Sequence, residues 1–391
     1  EINFGQKPFK FAPPDGFQLL NNANTRLENV ILRPDKYVGI TTWTGDGNDN
    51  RNITLMDGFD LLWYKQRSGT QYHYLEDTIR GASRSLFPND TAVESSPDSS
   101  KVKSFTRDGI VVGTDGAINQ NTEKYVAWTW KAGGSKGTFN KDDVGYDTAA
   151  AAGLSGQSSN ITINGCSIGT KQGFSIVKVT PSDNSAFIVP HGLSQQPDFL
   201  IIKNLGAAQN WDIYFRGVTG STQVFELNTN LALTTTGVTL WSAVDSTKVH
   251  ARAASFATSS NSRIVYFWHS VPGFSKFGTF EGNTQTDGPY VELGFKPALV
   301  ILKTIDTAAN WMIYDNERGK SNPNSFVLSS NVNDGGQTYD AYSSAYPIDF
   351  LSNGFKIRTT ATNSNADSTL IYMAWAEAPS IDLYGGGANA R

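Results

Sequence analysis

Residues 297–303 read Pro-Ala-Leu-Val-Ile-Leu-Lys, an uninterrupted apolar run that ends in a lysine. A strand that packs on both faces has this continuous apolar pattern, and a terminal lysine can reach the surface while its methylenes stay buried. The pattern recurs at residues 197–203, Pro-Asp-Phe-Leu-Ile-Ile-Lys, and more divergently at residues 58–65, Gly-Phe-Asp-Leu-Leu-Trp-Tyr-Lys. These runs predict strands inside β-sandwiches.

The rest of the chain has the same character. Short β-branched and aromatic runs alternate with clusters of Gly, Asn, Asp, Ser and Thr, and stretches with helical period are nearly absent. We predict an all-β fold of tandem antiparallel β-sandwich (jelly-roll-like) domains in three related copies; the pattern does not separate a jelly roll from an immunoglobulin-like strand order. The predicted strands are Asp60–Lys65, Tyr125–Trp130, Phe174–Val179, Phe199–Lys203, Ile264–Trp268, Leu299–Lys303, Phe355–Arg358 and Leu370–Trp375.

The copies are recognised by an internal repeat. Gly173-Phe174-Ser175 recurs as Gly273-Phe274-Ser275, an offset of 100 residues, and the offset holds as far as Tyr214 and Tyr314. An Arg-Gly pair follows the strand lysine by 15, 13 and 15 residues, and an aromatic strand ends in Trp 65, 65 and 72 residues after it. We expect these residues to pair and stack at a sandwich edge, as architecture and not as a ligand site. They are Lys65, Lys203 and Lys303, Arg80, Arg216 and Arg318, and Trp130, Trp268 and Trp375.

The repeat sets the predicted domain boundaries. Residues 30–133, 169–270 and 271–379 form the first, second and third segments, with an N-terminal extension at 1–29 and a C-terminal tail at 380–391. Residues 134–168, rich in Gly, Ala and Ser, are predicted to be a linker. At about 100 residues each segment is long enough for a core of its own, so we expect three separate beads.

Composition excludes several classes of function. The 391 residues carry 32 Lys and Arg against 36 Asp and Glu, a net charge of −4 with no basic stripe, so we expect no nucleic-acid partner. No apolar run approaches the roughly 20 residues that span a bilayer, so we expect no membrane insertion. A single cysteine, Cys166, cannot form an internal disulfide, and the start at Glu1 suggests a cut chain or part of a longer gene product.

No constellation of residues establishes a reaction, and we predict no enzyme, no cofactor and no metal. The histidines, His73, His191, His250 and His269, share no position between the segments, and Cys166 is expected to be a small structural residue. The turn Asp46–Asn50 faintly resembles a calcium loop, but Arg51 and Asp57 replace the Gly and Glu that such a loop needs. Tyr339, Tyr342 and Tyr346 are candidates for stacking on sugars; alternatively they cover their own core or contact a neighbouring subunit.

Several motifs resemble bacteriophage virion proteins. Asn3–Phe9 and Pro13–Phe17 are similar to the closing strand of the SPRY-like domain in those proteins, and Tyr125–Gly133, Asp349–Lys356, Tyr372–Pro379 and Ala388–Arg391 to the repeat that follows it. The resemblance implies that residues 1–29 are the remnant of an upstream SPRY-like domain.

The same resemblance implies a function. It points to a structural protein at the virion surface, a tail-fibre or adhesin component that presents loops for host attachment. The implied partners are further copies of the chain, in a homotrimer, other tail or capsid proteins, and a host surface glycan or protein. Two alternatives stay open: a capsid decoration or head-fibre protein, and a polysaccharide-degrading tailspike with an active site between subunits, which needs two carboxylates about 5 to 10 Å apart.

Overall fold

The computed structural model describes residues 31–183, 185–251, 261–333 and 345–379. Regular structure in these ranges is almost entirely β, with one 3-10 turn at Pro34–Lys36 and one short helix, α1, at Thr362–Asn365. Within the described ranges, no helix has the length and apolarity needed to cross a bilayer. The all-β prediction is confirmed.

The strands follow the chain in four groups. The first segment contains β1 (Val38–Thr44), β2 (Arg51–Thr54), β3 (Leu61–Gln66), β4 (His73–Asp77), β5 (Val102–Thr106), β6 (Gly109–Val112) and β7 (Lys124–Trp130), after which come β8 (Phe139–Lys141), β9 (Val144–Tyr146) and β10 (Ile161–Gly169). The second segment contains β11 (Phe174–Pro181), β12 (Phe187–Pro190), β13 (Phe199–Asn204), β14 (Asp212–Phe215), β15 (Gln223–Glu226), β16 (Thr234–Thr235), β17 (Trp241–Val244), β18 (Lys248–Ala251) and β19 (Arg263–Trp268). The third contains β20 (Ser275–Glu281), β21 (Tyr290–Glu292), β22 (Phe295–Thr304), β23 (Met312–Asp315), β24 (Val327–Ser329), β25 (Ile348–Leu351), β26 (Gly354–Ile357) and β27 (Thr369–Pro379).

One large sheet runs through each segment, and its strand order is the same each time. The orders are β1-β7-β3-β4, β11-β19-β13-β14-β15 within a nine-stranded sheet, and β20-β27-β22-β23-β24. In each, the first strand pairs antiparallel with the last strand of the segment, and the last strand pairs antiparallel with the lysine-ended strand.

A smaller sheet of three strands accompanies each large sheet. These sheets are β2-β6-β5, β12-β18-β17 and β21-β26-β25. In the first segment Leu62 and Tyr64 of the large sheet share a buried cluster with Ile53 and Val112 of the small one. The two sheets therefore enclose a sandwich core, as the apolar runs predicted.

The prediction that residues 134–168 form a linker is wrong. Strands β8, β9 and β10 lie in this stretch and extend the second large sheet, with β8 parallel to β10 and β10 antiparallel to β11. Ala152, Leu154, Ile161 and Ile163 are buried in the second sandwich core. The apolar–polar alternation at residues 161–164 is a strand signal, which the Gly- and Ser-rich flanks outweighed in the sequence interpretation.

The expectation of three separate beads is also wrong. Alternate residues of β3 face two cores: Leu62 and Tyr64 face the sandwich, whereas Leu61 and Trp63 belong to a cluster that takes residues from all three segments. In that central cluster the Trp375 ring lies 5.5 Å from the Trp130 ring and 6.4 Å from the Trp268 ring, in edge-to-face geometry. The segments therefore share a central core, beside the separate sandwich cores of the first and second segments.

We predict that the three segments unfold together. Met373 is buried in the central cluster beside residues of the other two segments, so Met373→Ala should lower the free energy of unfolding by about 3 kcal/mol. Calorimetry should show a single unfolding transition at a lower temperature than in wild type. Hydrogen exchange should show faster exchange of the backbone amides in β7 and β19 as well as in β27. The exposed Val144→Ala is the control, and separate transitions of which only one moves would contradict a shared core.

Candidate functional site

The strand lysines bind backbone carbonyls at the joints between segments. Lys203 Nζ donates to Thr91 O of the first segment at 2.8 Å and to Gln209 O at 2.6 Å. Lys303 Nζ donates to Asn230 O of the second segment at 3.1 Å and to Ala309 O at 2.7 Å. The expectation that these amines reach the surface is wrong, since both side chains are fully buried and the carbonyls take the place of water.

Lys65 takes the corresponding place in the first segment. Its Nζ donates to Gln66 O at 2.7 Å and to Gly69 O at 3.0 Å, in the turn that follows β3. Burial lowers the pKa of Lys203 and of Lys303 to about 8. These amines are held as hydrogen-bond donors inside the joints, where no ligand reaches them.

An indole eight residues after the lysine makes a second contact across each of two joints. Trp211 Nε1 donates to Phe87 O and to Asp90 O at 3.0 Å each, and Trp311 Nε1 donates to Glu226 O at 3.1 Å. Lys203 also lies over the Trp211 ring, 5.6 Å from its centroid. In both joints, the lysine and the indole thus bind the same loop of the preceding segment.

His73 occupies the equivalent place in the first segment. It too lies eight residues after the strand lysine, and burial holds its pKa well below the ordinary value, with the charges of Lys65 and of Arg318 in the third segment acting in the same direction. The Ser329 backbone of the third segment opposes that shift. The first and third segments also meet directly, since Trp128 Nε1 donates to Asp315 Oδ2 at 2.9 Å.

Asparagines missed in the sequence analysis fix these positions. Asn89, Asn228 and Asn331 accept through Oδ1 from the backbone N–H of His73, Trp211 and Trp311 at 2.9, 2.9 and 3.0 Å. They follow the residue that they bind by 16, 17 and 20 residues. Because the intervening hairpins differ in length, no constant offset reveals the asparagines, and only their shared position after the hairpin could have done so.

Buried Asp–Arg pairs occupy two of the joints. Arg80 Nε donates to Asp77 Oδ2 at 2.6 Å, and Arg318 Nε donates to Asp315 Oδ2 at 2.6 Å, with all four side chains fully buried. Each aspartate also accepts a hydrogen bond from another segment. The Tyr266 hydroxyl donates to Asp77 Oδ2 at 2.7 Å, and the indole of a tryptophan in β7 donates to Asp315.

That tryptophan is Trp128, whose Nε1 donates to Asp315 Oδ2 at 2.9 Å and whose ring lies 5.5 Å from the Arg318 guanidinium carbon. Asp77 and Asp315 pair with Leu61 and Leu299 of the lysine-ended strands, four residues before the lysine. In the second segment the residue at this register position is Phe215, which pairs with Phe199. The grouping of Arg216 with Arg80 and Arg318 is wrong: Arg216 is half exposed and pairs with Asp198 at 3.1 Å. Its spacing of 13 residues, against 15, was the sign of a different position.

The repeated tryptophans Trp130, Trp268 and Trp375 contact one another in the central cluster, as the ring distances above show. In the described ranges they take no part in the cation contacts at the joints. The cations lie instead over Trp211 and Trp128. The repeated residues that were predicted to pair and stack together therefore separate in the structure: the tryptophans lie in the central cluster and the lysines lie at the joints between segments.

Three groups whose pKa values burial displaces, Glu76, Cys166 and His191, are enclosed in the fold. Burial raises the pKa of Glu76 to about 7, and this carboxylate accepts from Ser83 N at 3.0 Å and Ser85 Oγ at 2.9 Å with no exposed surface. Burial also raises the pKa of Cys166 to about 11 and lowers that of His191 to about 4. A general acid or base needs contact with its substrate, which these groups lack.

The carboxylates of the acidic turn at Asp46–Asn50 form ion pairs with an arginine and a lysine of the same chain. Asp46 Oδ2 lies 3.5 Å from Arg51 Nε, and Asp49 Oδ1 lies 2.5 Å from Lys103 Nζ. Asp46 Oδ1 also accepts from the Asn48 N–H at 2.9 Å. Within the described ranges no group of three or more His, Cys, Asp or Glu side chains is arranged to hold a metal.

Two of the three tyrosines proposed for sugar binding, Tyr339 and Tyr342, lie outside the described residues. The third, Tyr346, packs partly buried against the core, and its hydroxyl lies 3.5 Å from Asn363 Nδ2. The alternative in which the tyrosine covers its own core thus describes Tyr346.

A groove between the first and third segments carries three carboxylates, the feature that a polysaccharide-degrading site would need. Asp35, Glu317 and Glu377 line it. Their respective partners are Arg33 Nη2 at 2.7 Å, Lys320 Nζ at 3.6 Å and Lys296 Nζ at 3.2 Å. The hydrogen bond from Arg33 lowers the pKa of Asp35, opposite to the shift that a general acid requires.

We predict that Lys203→Met loosens the joint between the first two segments. The variant removes the amine from two partly buried carbonyl oxygens, of which Thr91 O keeps the Gln209 N–H and Gln209 O loses its buried donor, so we expect a loss of roughly 1–3 kcal/mol in the free energy of unfolding measured with urea. Lys320→Met, at a lysine that is 73% exposed, is the matched control. Equal effects of the two variants would contradict a role for the buried amine.

We also predict a pH-dependent effect of Glu76→Gln. Because the folded-state pKa of about 7 lies above the ordinary 4.5, the wild-type contribution is fully present below about pH 4.5 and is lost as the pH rises to about 7. The uncharged glutamine keeps the shape without that loss. Urea unfolding should find the variant equal to wild type near pH 4 and more stable at pH 8, by on the order of 3 kcal/mol. The exposed Glu292→Gln is the control, and a difference between Glu76→Gln and wild type that is independent of pH would contradict this assignment.

Comparison with curated proteins and with solved structures finds no match to the chain. One family model spans all three segments together, in keeping with their shared core. That model, described as a domain of unknown function (DUF7483), matches residues 33–379, and the chain belongs to this family.

Proposed function

We propose that the chain is a non-catalytic structural component of a bacteriophage virion, a tail-fibre or adhesin protein that presents β-sandwich loops to the host surface. Its proposed place is the particle surface, and its proposed partners are further copies of the chain, in a homotrimer, and other tail or capsid proteins. The virion setting comes from the resemblance of the sequence motifs, and the structural role from the joints.

The fold proposal that accompanies this function is that the three segments are copies of one jelly-roll-like unit. The identical pairing order of the large sheets and of the small sheets supports it. So does the placement of Lys203 and Lys303, each at the end of the equivalent strand with its amine on a carbonyl of the preceding segment.

One observation carries the functional proposal: the lysine and the indole that the second and third segments have in common join each of these segments to the preceding one. Lys203, Trp211, Lys303 and Trp311 bind main-chain carbonyls of a neighbouring segment, and the indoles lie wholly inside. A repeated catalytic or ligand-binding set would instead keep open positions toward solvent. Joints held by buried hydrogen bonds suit a structural component of a particle.

We test the proposal on the virion. Antibodies raised against the chain should label purified phage particles at the tail, seen by electron microscopy, and native mass spectrometry of the 42.5 kDa chain should show a trimer. Label on the capsid lattice would favour the decoration or head-fibre alternative. Release of new reducing ends from host polysaccharide would favour the tailspike enzyme, and particles without label would overturn the virion assignment.

A further inference from the structure

The outer face of the small sheet in the third segment carries a row of three functional side chains. Tyr290 of β21 lies directly opposite Lys356 of β26, and Lys356 lies opposite Asp349 of β25. Tyr290 is 45% exposed and is one of the few large hydrophobic side chains that the described residues leave open to solvent. Since neighbouring strands are about 4.8 Å apart, the row is about 10 Å wide, enough for a sugar ring beside the tyrosine.

A polar cleft adjoins this row. It encloses about 430 Å³ and is lined by Thr286, Asp287, Pro323, Pro347, Asp349 and Arg358. Asp287 Oδ1 lies 2.8 Å from Lys356 Nζ and 3.8 Å from Arg358 Nη1, and Arg358 Nε lies 3.2 Å from Asp349 Oδ2. The Lys356 hydrogen bond and charge lower the pKa of Asp287, so this highly exposed carboxylate stays ionised and ready to accept hydrogen bonds.

The walls of the cleft are fixed before any ligand arrives. Asn322, next to Pro323, accepts from Phe350 N at 2.8 Å and donates to Phe350 O at 2.8 Å, which ties one wall to β25. Lys356 Nζ also donates to Gly288 O at 2.9 Å, which ties Asp287 and its loop to β26. A preformed site loses little conformational entropy when it binds.

The other two segments lack this chemistry at the same place. The corresponding rows are Asn52–Val111–Ser104 in the first segment and Ile188–His250–Ala243 in the second. The strand pairing is the same in all three, so the fold does not require an aromatic ring, a lysine and an aspartate there. Exposed ion pairs such as Lys356–Asp287 also add little stability.

We propose that this face of the third segment binds a neutral hexopyranose unit of a glycan. The Tyr290 ring stacks on the C–H face of the sugar, whose hydrogens carry partial positive charge toward the negative face of the ring. Asp287 accepts hydrogen bonds from sugar hydroxyls, and Arg358 donates to a ring or hydroxyl oxygen, bonds that charge strengthens. A neutral sugar fits because the cations are already paired with carboxylates, which would repel an acidic sugar. The proposal rests on the proposed host-attachment function and assigns it a site.

The test is binding of the full chain to an array of neutral oligosaccharides built from glucose, galactose or mannose, with polygalacturonate as an acidic probe. Wild-type protein should bind at least one neutral class, and Tyr290→Ala and Asp287→Asn should each weaken that binding at least tenfold without changing the melting temperature. Tyr72→Ala is the matched control, because Tyr72 is 39% exposed and lies outside the third segment.

Each outcome decides one point. Failure of the wild type to bind any neutral glycan, binding of polygalacturonate alone, or equal binding by Tyr290→Ala and wild type would overturn the glycan site. Particle labelling is independent of these results, so label on the virion without glycan binding would overturn the site and leave the virion role standing. Glycan binding, together with particles that the antibodies do not label, would overturn the virion role and leave the glycan site standing.

Discussion

The structure depends on strands that are apolar on both faces. In β3, β13 and β22 every residue from the start of the apolar run is buried, so each large sheet has one face for its own sandwich and a second face that its own small sheet does not cover. Among the described residues, the other two segments cover that second face, with Trp130, Trp268 and Trp375 at the centre. Burial at about 25 cal/mol per Å² of apolar surface makes this arrangement favourable, and no segment can satisfy it alone.

Polar joints give the apolar centre a defined geometry. An apolar cluster tolerates several packings, whereas a buried amine or carboxylate is stable only where its hydrogen-bond partners are in place. Lys203 and Lys303 bind carbonyls of the preceding segment, and Asp77 and Asp315 accept hydrogen bonds from Tyr266 and Trp128 of a different segment. Such groups contribute more to the uniqueness of the arrangement than to its stability, since their desolvation offsets much of the attraction. Phe215 stands in the second segment at the position of Asp77 and Asp315, and apolar contact there replaces the buried Asp–Arg pair.

Local patterns predicted the strands and not how the segments meet. Apolar runs and the offset of 100 residues identified every lysine-ended strand, because burial on both faces is visible in a single strand. The joints were missed because Thr91, Asn230 and Glu226 contribute main-chain carbonyls, which leave no mark on side-chain identity. The spacing of Arg216 differed by two residues, enough to move it from the buried corner to the surface. Composition misled at residues 134–168, because the small residues at 147–160 lie in the connection between β9 and β10, whereas the strands on either side of that connection pair in the sheet.

In a molecule built from matched segments, residues that recur and residues that differ carry different information. Recurring lysines and tryptophans meet a requirement of the fold, which every segment faces, and they are accordingly inside. A surface row that is polar and aromatic in one segment, such as Tyr290 and Lys356, and plain in the others meets no such requirement. Selection for folding alone would leave it free to vary. The search for a binding surface therefore begins with exposed positions that break the pattern, and the third segment holds the row where an aromatic ring, both signs of charge and a preformed cleft coincide.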